Sequence, residues 1–156
     1  MDKETFGSMT SDEYIEERVK QYQNWYDKKS VIVKSLYLKM RATSVVGGAI
    51  VPVLVNLKPT WINIDLITTI ISLIVVIFIA LETVYHYRGQ WKNYRSTEQF
   101  LGREKLYFLT KEGPYKELAS KEAFVLFVER IEGAIESENV STLNVMTLIS
   151  QPKSES

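Results

Sequence analysis

The chain contains no cysteine, which excludes disulfides and thiolate metal sites. His86 is its only histidine, and one histidine among scattered carboxylates is a poor basis for a metal centre or a general base. Nineteen basic residues balance nineteen acidic ones, so no excess charge points to a nucleic-acid partner. There is no P-loop, no nucleophile elbow and no H-E-x-x-H sequence. The expectation is a protein that is not an enzyme and that uses no cofactor and no metal. The first residues, MDKETFGSMT, are polar without an apolar centre, so a cleavable signal peptide is not expected.

Two long stretches also lack charge altogether, Ala42 to Leu57 and Leu66 to Leu81. A membrane-spanning helix needs about 20 mainly apolar residues. Leu36, Tyr37, Leu38 and Met40 extend the first stretch. Trp61, Ile62 and Ile64 extend the second, and Thr83, Val84 and Tyr85 follow it. The second stretch is apolar on every side from Ile70 to Ile79, where a soluble helix would show a polar face. The pattern predicts a membrane hairpin, with spans at 42–57 and 61–84 joined by a turn at 58–60. Lys28, Lys29, Lys34, Lys39 and Arg41 precede the first span, and Arg88, Lys92, Arg95, Arg103 and Lys105 follow the second. Only Lys58 lies between. Because Lys and Arg near span ends stay inside, both termini are expected in the cytoplasm.

Outside the spans the periodicity is helical. Thr10 and Glu13 form a capping box. Ile15, Val19, Tyr22, Tyr26, Val33, Tyr37 and Met40 recur on one stripe, with neither Pro nor Gly between Ser11 and Arg41. One helix is expected from Ser11 through the first span, its part at 11–41 projecting into the cytoplasm. Tyr87, Trp91, Tyr94, Leu101 and Phe108 make a matching stripe in an extension of the second span over 85–112. Pro114 suits a new start, and Phe124, Phe127, Val128, Ile131 and Ile135 predict a third helix over 114–139. Residues 1–10 are expected to be disordered, and 140–156 to form a tail. The fold class is therefore all-α, a hairpin of two long antiparallel helices with a third cytoplasmic helix.

Several phrases carry a likeness to a known family. They are Trp25-Tyr26-Asp27-Lys28-Lys29, Pro52 late in the first span, the run WKNYRSTEQFLGREKLYF from Trp91, and Phe127-Val128-Glu129-Arg130-Ile131-Glu132. Over about Tyr14 to Glu138 the chain resembles the bacterial domain-of-unknown-function family 4231, within the SLATT group of two-helix membrane proteins. The resemblance implies a pore-forming effector of bacterial conflict or stress systems, placed in a bacterial inner (cell) membrane. No second-messenger sensor domain accompanies it, so a trigger would come from a partner or a physical stimulus.

Two spans cannot enclose a pore, so conduction requires a homo-oligomer. Ser44, Gly48 and Pro52 line one face of the first span with Gly47 beside them. Such small residues allow close helix contact, either within the hairpin or between subunits. Asp65, Thr68, Thr69 and Ser72 form a polar stripe on the second span that gives way to apolar residues such as Val76. These residues are candidates for pore lining, with Asp65 as an outer carboxylate ring and Glu82 as an inner one favouring cations. The alternative pairs Asp65 with Lys58 and Glu82 with Arg41. Arg95 with Glu98, or Arg95 with Glu104, is a candidate cytoplasmic ion-pair network. The expected partners are the lipid bilayer, further copies of the chain, permeant ions and a possible cytoplasmic protein. A non-conducting scaffold is the competing reading.

Overall fold

The computed structural model describes residues 9–57 and 63–147. The expected turn at 58–60 and most of both termini lie outside them. Four helices account for nearly all of the described chain. Helix α1 spans Ser11–Asn56, at 1.5 Å per residue a rod of about 70 Å. Its start is a true capping box: the Thr10 side chain accepts from the Glu13 amide, and the Glu13 carboxylate takes the Thr10 amide at 2.8 Å. One segment of α1, Ile15–Val19, is π-helical. Pro52 lies inside the helix, which continues through it to Asn56, and the Asn56 amide donates to the Pro52 carbonyl.

Helix α2, Ile64–Tyr85, starts where the Asn63 side chain accepts from the Leu66 amide. The expected uninterrupted extension of the second span is corrected here. His86 adopts a left-handed conformation (φ 49°) and ends α2, and a separate helix α3 covers Tyr87–Thr110. The His86 amide still donates to the Glu82 carbonyl, and its own carbonyl accepts from the Gly89 and Gln90 amides. Helix α3 closes on left-handed Lys111, with the Glu112 amide turned back to the Tyr107 carbonyl, a common helix ending.

Helix α4 is also shifted from its expected bounds. Gly113–Tyr115 forms a single 3-10 turn, and Pro114 opens that turn instead of the long helix. Helix α4 runs Ser120–Thr147, past the expected stop near Asn139 and into the segment expected to be a tail. Residues 139–147 contain no Pro or Gly, so nothing local breaks the helical hydrogen-bond ladder there.

Cross-helix contacts fix the topology. Gly47 faces Val75, the Lys34 ammonium lies over Trp91, Asp27 pairs with Arg95, and Gln23 meets Glu98. Helix α1 is thus antiparallel to α2 and then to α3. Helix α4 folds back along α3 and runs parallel to α1, with Phe127 stacked on Phe108 at 4.4 Å and Arg18 bound to Glu132.

The core belongs to the polar part of the chain. Tyr14, Ile15, Val19, Tyr26 and Val33 of α1, Tyr94 and Leu101 of α3, Tyr115 of the turn, and Ala123, Phe127, Ile131 and Ile135 of α4 are buried together. The apolar stretches have the opposite character. Gly47 is the one buried residue of the first, and the second has none. Val45, Val53 and Val76 are 60% exposed or more. Among the described residues two helices are long and apolar enough to cross a membrane. A water-soluble domain buries such residues first, so their exposure supports membrane association.

Candidate functional site

The hairpin seam explains why small residues occur in the first span. A Cβ built on Gly47 would lie 2.5 Å from Val75 Cγ2 and 3.7 Å from Ile71 Cγ2. Only glycine lets the two backbones approach this closely. Ser44 is half-buried in the same seam. Gly48 and Pro52 point away from it: both are exposed, and a Cβ on Gly48 would meet nothing within 4 Å. The four residues grouped from sequence are therefore split between two faces.

The polar stripe of α2 is split in the same way. Thr68 and Ser72 are half-buried on the side of α2 that meets α1, while Asp65 and Thr69 are exposed. Three hydroxyls are already engaged with the helix itself. Thr68 donates to the Ile64 carbonyl, Thr69 to Asp65 and Ser72 to Thr68, each at 2.8 Å. This i−4 bonding satisfies a hydroxyl in apolar surroundings. Val76 projects outward, and Glu82 is half-buried. Among the described residues Glu82 forms no ion pair with Arg41. The alternative partner of Asp65, Lys58, lies outside the described residues.

Charge is most organised in the helical bundle. Arg95 contacts Asp27 at 2.9 Å and Glu98 at 3.2 Å. The second contact is an ion pair without hydrogen-bond alignment, so the buried Glu98 Oε2 has a charge partner but no aligned donor. Gln23 links this group onward, donating to Glu98 and accepting from Lys105 at 2.9 Å. Gly102 makes room for it, since a Cβ there would fall 2.9 Å from Gln23 Nε2.

Glu104 is not part of that network. Its side chain is 1% exposed and takes a two-pronged contact from Arg130, Nε at 2.7 Å and Nη2 at 2.8 Å, with the Tyr115 hydroxyl at 2.7 Å. A second clamp repeats the design. Glu132 accepts from Arg18 Nε at 2.9 Å and Nη2 at 2.8 Å, and from the Tyr14 hydroxyl at 2.8 Å. Two-pronged charged hydrogen bonds of this kind are directional as well as strong. Arg130 and Glu132 lie two apart on α4, so one clamp ties α4 to α3 and the other ties it to α1. The Arg130 and Arg18 hydrogen bonds hold Glu104 and Glu132 below the ordinary carboxylate value of 4.5. Burial, followed by the bond to the neighbouring carboxylate, pushes the Tyr115 and Tyr14 hydroxyls upward. Sequence spacing missed these clamps because Arg18 and Glu132 are far apart in the chain. The available signal was Tyr14 and Arg18 at i, i+4 beside the apolar stripe.

Among the described residues no three His, Asp or Glu side chains converge. The arrangement offers helix packing, charge pairing and a large exposed apolar surface. It defines a class: an all-helical protein with two helices fit to cross a membrane and a polar helical bundle. Residues 21–123 match the family described as protein of unknown function DUF4231, and the chain belongs to that family. The match ends at Ala123, so Glu104 and Tyr115 of the first clamp fall within it, while Arg130 and the whole second clamp lie outside. No curated protein and no solved structure matches the chain.

Proposed function

We propose that the protein is a membrane-embedded hairpin that assembles with copies of itself into an ion-conducting pore. The observation that carries this reading is the exposed apolar surface of both spans, interrupted on the outward face of α2 by Asp65 and Thr69. One carboxylate per subunit on that face would give a ring at the outer mouth, and Val76 would lie in an apolar constriction further in. Such a ring favours cations, and an apolar constriction can gate by dewetting. Glu82, turned partly into the seam, is the weaker candidate for a second ring. In this reading both termini and the bundle are cytoplasmic, since the basic residues flank the bundle side of the spans, and the family resemblance suggests a bacterial inner membrane as the bilayer. The resemblance to SLATT proteins supports an effector role in defence or stress. No catalytic step is assigned to the chain.

One observation favours the competing scaffold reading. Thr68 and Ser72 spend their hydroxyls on their own helix and face the seam, which shortens the polar path on offer. A scaffold would instead use the bundle to dock a protein partner. Single-channel recording of purified protein in planar bilayers tests the choice. The pore reading expects conductance whose cation preference falls in Asp65→Asn. A stable oligomer in sealed vesicles that pass no ions would favour the scaffold.

A further inference from the structure

Three segments carry no Asp or Glu: residues 28–64, 83–97 and 139–154. They are distant in sequence, but the structure brings parts of all three to the same end of the bundle. The Lys34 ammonium sits 5.4 Å from the Trp91 ring centroid, and Asn139 of α4 borders the same cavity as Trp25 and Tyr26. The first two segments form a collar at the base of the hairpin. Its cations Lys29, Lys34, Lys39, Arg41, Arg88 and Lys92 are all exposed, and among the described residues none of them makes an ion pair. The nearest carboxylate in sequence, Asp27, is engaged by Arg95. Between these cations lie exposed aliphatic side chains, Val31 at 59%, Ile32 at 56%, Leu36 and Leu38.

Helix length places this collar in depth. Counting back from Asn56, about 20 residues cross the roughly 30 Å of hydrocarbon and reach Tyr37. Lys39 and Arg41 thus start in its last turn and carry their charged heads back to the headgroup layer along their apolar stems. The headgroup layer, about 5–7 Å on each side, then covers Ile32 to Leu36. Along the return helix the 22 residues of α2 reach Tyr85, and the same layer covers Tyr85 to Gly89, with Trp91 at its edge. Aliphatic groups at the acyl boundary, lysine stems reaching outward and aromatic rings between them form the pattern of an interfacial surface. Unpaired cations there complement anionic headgroups.

Resting on the membrane reading above, we infer that this collar is seated in the headgroup layer and binds anionic phospholipid, so the bundle lies against the bilayer instead of standing off on a helical stalk. The test uses the full chain carrying Trp25→Phe and Trp61→Phe, which leaves Trp91 as sole emitter, in phosphatidylcholine–phosphatidylglycerol vesicles. Lipids brominated at different acyl depths should quench Trp91, most strongly from the shallowest position. Bromine on phosphatidylglycerol should quench more than bromine on phosphatidylcholine. That preference should be lost when Lys34, Arg88 and Lys92 are changed to Gln, and also in high salt for the unaltered collar, which needs no further substitution. Equal quenching from the two lipids overturns the anionic preference. An unquenched Trp91, in the same vesicles where a tryptophan introduced by Val76→Trp in a protein otherwise lacking tryptophan is quenched, overturns the collar while the membrane reading stands. If neither is quenched, both fall together.

Discussion

The hairpin and the bundle of this chain follow opposite rules. The most apolar residues lie in α2 and the end of α1 and are largely exposed, whereas the large side chains sealed from water, among them Phe127, Leu101, Ile131 and the charged Glu104, lie in the polar part. The bundle obeys the hydrophobic effect in water: a mixed sequence sorts its apolar stripe inward. In the proposed membrane setting the hairpin has no such drive, because acyl chains are as apolar as valine. Its two helices are held by shape, with Gly47 against Val75, and its surface is left to lipid.

This contrast can be broken most directly by removing the same side chain from each half. Ile131→Ala should cost about 3–4 kcal/mol of bundle stability, the range for emptying a well-packed core site. Ile79→Ala, on a hairpin residue 53% exposed, should move stability by less than about 1 kcal/mol. Thermal unfolding followed by circular dichroism in detergent measures both, and equal losses would contradict the division. Next in size, Glu104→Gln should cost about 3 kcal/mol, near the low end for breaking a buried pair because Arg130 keeps access to water. Gly47→Ala should cost about 1–3 kcal/mol through overpacking at Val75. It should loosen the hairpin while leaving the near-UV signal of the bundle aromatics unchanged.

The clamps set the response to pH. Glu104 and Glu132 are held below 4.5, so their charged forms stabilise the fold above that value and the contribution fades as pH falls beneath it. The effect of Glu132 is the smaller, since it and Arg18 are each over one-third exposed and screened by water. Tyr14 and Tyr115 are raised above 10.0, so their neutral forms stabilise the fold below that value, and the contribution is lost as pH climbs past it. Bundle stability should be flat between these limits and fall on both sides, with Glu104→Gln flattening the acid edge. The smallest effect is expected at Tyr26. Its buried hydroxyl lies beside the buried Glu138 carboxylate but makes no aligned hydrogen bond, so Tyr26→Phe should change stability by less than about 1 kcal/mol.

The helices were legible because each depends on a local period. Ile15, Val19, Tyr26 and Val33 on α1, and Phe127, Ile131 and Ile135 on α4, are the buried members of stripes visible in the sequence. Less legible was anything that depends on tertiary position. His86 ends α2 in a left-handed conformation without a Gly or Pro to announce it. Glu104 has Arg130 for its partner and not Arg95, because the turn at Gly113–Tyr115 brings α4 alongside α3. The polar stripe of α2 was visible as spacing, but which of its members face α1 follows from where Gly47 lets that helix approach.

The break at His86 makes the two connections between bundle and hairpin unequal. On one side, α1 passes from bundle to hairpin as one helix, and Pro52, which has no N–H to donate, lies beyond the junction near its far end. On the other, left-handed His86 offsets α2 from α3, which stay joined through the His86 amide on the Glu82 carbonyl and the Gln90 side chain on the Tyr85 carbonyl. A twist applied to the bundle would therefore pass most directly along α1, as torque along a drive shaft. Helix α2, which carries Asp65 and Thr69, follows at one remove through the contact at Gly47.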